Sequence, residues 1–170
     1  GHLLGKDNSW FHTVYWPALL KAVDLPLPKT VFAHGWWTVN SKKMGKSTGN
    51  AVKINELISI VGVDSARYFL LRETPLGDDG DFSESMLIER HNNELANKLG
   101  NLVSRVSALA EKYGIEKTKN SLEIKETLKQ IEEHFNNYEL HKVLESIFTY
   151  IDKTNEYIQE KKPWETKDKK

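Results

Sequence analysis

The chain has 170 residues, 39% of them hydrophobic and 10% aromatic, enough for one sizeable domain or two small ones. A formal net charge of zero argues against nonspecific coating of nucleic acid, and the lack of cysteine excludes disulfides and thiolate metal sites. No apolar run approaches membrane length and no secretory signal opens the sequence, so no membrane partner and a cytoplasmic (or organellar) location are expected.

The charge is unevenly spread. Residues 1–50 carry six lysines against Asp7 and Asp24, residues 51–84 carry three basic against seven acidic residues, and residues 85–170 balance. In chain order, Gly1–Gly5 reads as a short apolar strand. Asp7 stands where an N-cap would open a helix through about Ala22, with Phe11, Val14, Tyr15 and Leu19 on one face. Pro17 inside that span predicts a kink or break. Pro26 and Pro28 mark a loop, Thr30–His34 reads as a strand, and Trp36–Val39 is a second apolar run. Strand, helix, strand and loop in this order suggest part of a parallel α/β sheet.

Two groups in this region can carry chemistry. Gly5-Lys6-Asp7 lies at a strand-to-helix junction, where nucleotide sugars and phosphates bind at a strand's carboxyl end. Asp7 could accept ribose hydroxyls, or it could cap its helix. His12 and Trp16, spaced i, i+4, share a helical face and could line a pocket for an apolar or soft side chain, or fill the core. Lys42–Asn50 then holds three lysines and two glycines with no acid. Lysines donate to phosphate oxygens and glycines free the backbone, so the loop could hold a triphosphate or be a solvated basic turn.

Asn55 and Glu56 look like a helix start and Gly62 like its end, and Asp64 caps a second helix through Leu71. Pro75–Ser83 reads as an acidic turn region. It lacks the spacing and terminal glutamate of a calcium loop, so no metal site is expected. Ser83 caps a long helix to Tyr113, ended by Gly114, with a narrow buried seam of Leu95, Leu99, Leu102, Val106, Leu109 and Tyr113. Ile124, Leu128, Ile131 and Phe135 make a second stripe, and Leu140, Leu144, Ile147, Ile151, Thr154 and Ile158 a third. Three amphipathic helices on short loops argue for an antiparallel bundle. Asn101 and Arg105, one turn apart on a flank of the seam, could bond base edges, and Trp164 could stack an unpaired base. The same residues also suit a solvated arginine and a staple over the bundle end.

Taken together and in order, Gly5-Lys6-Asp7, Phe11–Ala18, His34–Val39 and Lys43–Ser47 resemble the second catalytic half of the methionyl-tRNA synthetases, a class I aminoacyl-tRNA synthetase family. The resemblance covers nearly the whole chain. It implies an α/β plus all-α protein: the second half of a Rossmann-type parallel sheet over residues 1–50, a small stem-contact segment over 51–84, and a truncated anticodon-binding helix bundle over 85–170. Lys43–Ser47 is similar to the family's Lys-Met-Ser-Lys-Ser loop, with Gly45 in place of the first serine. The resemblance implies that Lys46 stabilises the phosphates of ATP, supplied with Mg2+ as substrate, and that Lys43 and Ser47 assist. It places the adenosine on Gly5, Asp7, His34 and Gly35, methionine on His12 and Trp16, and the CAU anticodon of tRNA(Met) on Asn101, Arg105 and Trp164.

The family's His-x-Gly-His motif is not in this sequence, and with no cysteine for a knuckle no zinc is expected. A missing N-terminal half is therefore the implied partner, and the fragment is expected to be inactive alone in methionine–tRNA ligation. Three other readings compete: a standalone tRNA anticodon-binding module without catalysis, a synthetase for leucine or valine, and a plain helical scaffold. His12–Trp16 argues against the second, because that aromatic pocket suits a thioether. The third leaves the lysine loop and Trp164 unexplained.

Overall fold

The computed structural model describes residues 2–45, 49–117, 122 and 124–165. It is mainly helical, with two small sheets near the N-terminus. Strand β1 (Leu4–Gly5) pairs in parallel with β2 (Ala33–His34), Leu4 opposite Ala33 and Gly5 opposite His34. Between them the chain makes a 3-10 turn (Lys6–Asn8), a wide π-helical stretch (Phe11–Tyr15) and helix α1 (Trp16–Ala22). Asp7 does not cap this helix. The extended residue is Gly5, no side chain caps the turn, and Asp7 lies within it. Pro17 does not end the helix: the residues before it are already helical, and the expected distortion takes the form of the π-helical stretch directly ahead of it. The wide turn ahead of it accommodates the ring.

The second sheet has the order β4-β3-β5. Strand β3 (Trp37–Val39) turns through Asn40 and Ser41, both with positive φ, into antiparallel β4 (Lys42–Lys43). On its other side β3 pairs in parallel with β5 (Gly80–Phe82), Trp37 opposite Gly80 and Val39 opposite Phe82. The acidic stretch read as a turn region thus contains a strand. Its partner lies some forty residues upstream, so no local pattern announces it.

Helix α2 (Ile54–Arg72) is bent at Gly62, whose φ of 81° and ψ of 168° interrupt the helical backbone. Glycine meets no steric penalty in that conformation, which is why the chain changes direction there. The inner face of α2 supplies the core. Leu57, Ala66 and Phe69 pack with Phe82 of β5 and Leu87, and Trp37 and Val39 close over them. Phe69 meets Phe82 edge-to-face at 5.9 Å and Trp37 at 5.8 Å. Phe69 and Leu87 are fully buried, each stabilising the fold by about 1.5–3 kcal/mol through apolar burial.

Ser83 caps the next helix by accepting from the Met86 N–H at 3.2 Å. The helix runs as α3 (Glu84–Arg90), a π-helical stretch (His91–Gly100) and α4 (Asn101–Tyr113), and stops at Gly114. The seam expected on it is less buried than its spacing suggests. Leu99, Val106 and Tyr113 are exposed, and no residue of α4 is fully buried. Helix α6 (Leu140–Lys161) packs against α4, and much of the remaining α4 surface is exposed. Helix α5 (Ile124–Asn136) turns through residues 137–139 into α6 and packs along it. At that turn Tyr138 stacks on Phe32, just ahead of β2, at 5.3 Å, tying the helical hairpin to the first sheet.

Candidate functional site

The parallel pair β1–β2 brings Gly5, Asp7, His34 and Gly35 to one edge. A Cβ on Gly5 would stand 2.7 Å from Asp7 Oδ1 and 3.5 Å from His34 Cε1, so the glycine leaves room for the carboxylate to fold back. His34 Nδ1 lies 2.8 Å from the Gly35 carbonyl oxygen, which can only accept, so this ring nitrogen carries the proton. Gly35 is buried against the chain that leads into β5, and a Cβ there would sit 1.9 Å from the Asp78 carbonyl oxygen. A close backbone approach therefore demands glycine at this position.

Lys6, between Gly5 and Asp7, donates to both carboxylate oxygens of Asp79 at 2.5 and 2.7 Å. Its ammonium also lies 4.3 Å from the centre of the Trp36 ring. Asp79 Oδ1 accepts the Trp36 N–H at 2.8 Å. The Lys6 bond, and then the Trp36 bond, hold the Asp79 carboxyl below its ordinary pKa.

Next along this edge is the β3–β4 hairpin. Asp81 accepts from the Thr38 hydroxyl at 2.5 Å and from the Ser41 N–H at 2.8 Å, and these bonds lower its carboxyl pKa. The carboxylate thereby holds a turn whose two central residues both have positive φ. Past β4, the Gly45 N–H donates to Asn50 Oδ1 at 3.0 Å, drawing the two ends of the lysine loop together. Of the predicted phosphate-binding residues, Lys43 belongs to β4, opposite Thr38, while Lys46 and Ser47 lie outside the described residues.

His12 and Trp16 share one helical face, both half-buried, with ring centres 5.9 Å apart. His12 Nδ1 donates to the Asn8 carbonyl at 3.1 Å. The spacing did not reveal His2, whose ring stacks on Trp16 at 4.5 Å and meets His12 edge-on at 5.6 Å. The result is a three-ring cluster at the base of the first helix.

A second site lies on the helices. Asn97, Asn101 and Arg105 from one helix face Asn155, Glu156, Gln159 and Glu160 of α6 across an open groove of about 480 Å³. Asn101 Nδ2 donates to the Asn97 carbonyl at 2.9 Å. Helix α6 ends where Lys162 adopts a left-handed conformation, and the chain then returns over the groove. Trp164 comes to lie with its ring 5.9 Å from the Arg105 guanidinium, and the residue is 43% exposed. Arg105 thus stands between Asn101, one turn before it along the groove, and the ring of Trp164. Asn97, Asn155 and Gln159 complete the polar wall, and no sequence signal singled them out.

Between the two sites, α2 and the long helix enclose a charged cluster that no sequence pattern announced. Glu94 is 8% exposed and accepts from the Tyr68 hydroxyl, from Arg90 Nη1 at 2.9 Å and from Arg72 Nη2 at 3.5 Å. Arg90 also grips Glu73 through Nε at 3.1 Å and Nη2 at 2.8 Å. Burial first, then the Glu94 bond and charge, push the Tyr68 phenol well above its ordinary pKa. Among the described residues, no three metal-ligating side chains cluster, and no helix is long and apolar enough to cross a membrane.

The chain resembles known proteins in both sequence and overall structure. The family model for class I tRNA synthetases (M) matches residues 1–107. A methionine–tRNA ligase of Campylobacter jejuni is 46% identical over 96% of this chain and 28% of its own length. The Bacillus subtilis enzyme of the same name is 44% identical over 96% of the chain and 26% of its own length. This chain therefore spans about a quarter of those curated relatives. A crystal structure of Mycobacterium tuberculosis methionyl-tRNA synthetase bound by methionyl-adenylate superposes with a TM-score of 0.88 at 35% identity, covering 99% of this chain and 36% of that one. The chain belongs to the methionyl-tRNA synthetase family of class I tRNA synthetases.

Proposed function

We propose that this chain supplies the second half of the catalytic unit and the opening part of the anticodon reader of a methionine–tRNA ligase. Residues 1–50 form the second half of a Rossmann-type domain, residues 51–84 a stem-contact segment, and residues 85–170 an antiparallel anticodon-binding bundle. The reaction joins the methionine carboxylate to the α-phosphate of ATP, releasing pyrophosphate, and then transfers the methionyl group to the 3′ end of tRNA(Met). No side chain here serves as a nucleophile. Lys46, with Lys43 and Ser47, balances the charge that develops on the leaving pyrophosphate, a purely electrostatic contribution alongside the Mg2+ that accompanies ATP. Gly5, Asp7, His34 and Gly35 take the adenosine, and the rings of His12 and Trp16 pack against the thioether.

The observation that carries the reading is the convergence of Asn101, Arg105 and Trp164. Trp164 lies about sixty residues from the other two in sequence, and α6 brings it back onto Arg105 at the mouth of a polar groove. Splayed bases are read in this way, one stacked on an aromatic ring and its neighbours bonded along their edges.

The test is binding of a CAU anticodon stem-loop against the same stem-loop with a changed anticodon, at fixed moderate salt. Discrimination of at least about 10-fold, roughly 1.4 kcal/mol, is expected. Trp164→Ala and Arg105→Ala should each remove most of it. Equal binding of both stem-loops overturns the anticodon assignment.

A further inference from the structure

The carboxylate of Asp79 reaches into the nucleotide edge from a segment to which the functional reading assigns only a stem contact. Lys6 has three N–H donors. Two meet the Asp79 oxygens and the ammonium rests on the Trp36 face, so the lysine inside the Gly5-Lys6-Asp7 motif is already occupied. The same carboxylate accepts the Trp36 N–H, so one side chain joins the strand-to-helix junction to the chain just beyond His34-Gly35. Its own backbone is fixed on both sides. The Gly80 N–H donates to the Trp36 carbonyl at 2.8 Å, and the Asp78 carbonyl packs where a side chain on Gly35 would have to be. Asp79 therefore stands immediately before β5, held where the chain enters the β3–β5 pairing.

We propose that Asp79 is a positioning residue for nucleotide binding: by holding Lys6, it sets Gly5 and Asp7 in register with His34 and Gly35. The inference rests on the adenosine reading of those four residues. As an exposed ion pair, the contact contributes little to overall stability. Its effect lies in geometry, because the backbone of Lys6 carries Asp7 with it. It also gives the acidic segment a task that its charge alone would not suggest.

The experiment measures binding of ATP, adenosine and inorganic triphosphate to the whole chain by equilibrium dialysis. Melting temperature and stem-loop affinity are recorded on the same samples. Asp79→Asn keeps an acceptor for the Trp36 N–H but removes the charge that holds Lys6, and Asp79→Glu restores the charge. Asp79→Asn should weaken ATP and adenosine by the same factor, on the order of 10-fold, and leave triphosphate, melting and stem-loop binding unchanged. Asp79→Glu should recover most of the loss. Unchanged ATP affinity in Asp79→Asn overturns the proposal. Tighter ATP and triphosphate binding also overturns it, since Lys6 would then be a phosphate ligand that Asp79 restrains. A fall in melting temperature with loss of every ligand, the stem-loop included, reduces Asp79 to a structural role. If the unaltered chain binds neither ATP nor adenosine, the adenosine reading fails first and the proposal falls with it.

Discussion

Glu94→Gln removes one charge from the cluster between α2 and the long helix while nearly preserving shape. In the native arrangement two guanidiniums, Arg72 and Arg90, face two carboxylates, Glu73 and Glu94. After the change Arg90 retains Glu73, but Arg72 loses the carboxylate it faces, and its Nε already has no partner among the described atoms. Breaking a buried pair by removing one member costs about 3–5 kcal/mol, because the remaining charge stays uncompensated. The arginine side chains are 18% and 28% exposed, so water relieves part of that penalty. A loss of roughly 2 kcal/mol is therefore expected, lowering the melting temperature by about 4–8 °C in a chain of this size. Urea denaturation followed by circular dichroism, at low and high salt, measures it. A buried origin predicts that the loss persists at high salt, where exposed pairs are screened. A Glu94→Gln protein within about 0.5 kcal/mol of the parent refutes the assignment of this cluster as a desolvated, mutually dependent network.

Two further outcomes follow from the same geometry. The Tyr68 pKa is raised by the fold, so its contribution to stability is complete below the unfolded value of 10.0 and is lost as pH climbs above it toward the folded value. The urea midpoint should accordingly fall between pH 9 and pH 11, and Tyr68→Phe should fall less steeply; equal slopes contradict the burial of the phenol. At Gly35, alanine would place a Cβ 1.9 Å from the Asp78 carbonyl, well inside the 3.0 Å that real contacts respect. The chain before β5 must then move, at a cost of about 1–3 kcal/mol of stability together with loss of adenosine binding, and an unchanged melting temperature would disprove the close approach.

Some features were legible because their causes lie within a few residues. Ser83 bonds the N–H three positions on, Gly114 stops its own helix, and the stripes of α5 and α6 need only a regular turn. The i, i+4 spacing placed Asn101 beside Arg105 and His12 beside Trp16 for the same reason. The strand character of Gly80–Phe82 was hidden, because a strand exists by virtue of its partner and β3 is distant in sequence. The same separation concealed the role of Asp79 toward Lys6, seventy-three residues away, and the Tyr68–Glu94 bond, which spans twenty-six.

What the sequence determined by itself was the local inventory: the Ser83 cap and the Gly114 stop, helical stripes, polar pairs one turn apart, a lysine-rich loop and the motifs that carry the family likeness. Tertiary structure decided which of these meet. The packing of α6 and its left-handed end at Lys162 bring Trp164 onto Arg105, and the pairing of β3 with β5 brings Asp79 to Lys6. The physical reason is one of range. Backbone hydrogen bonds and caps act between near neighbours, whereas ion pairs, ring stacks and buried contacts join whatever the topology brings within a few ångströms.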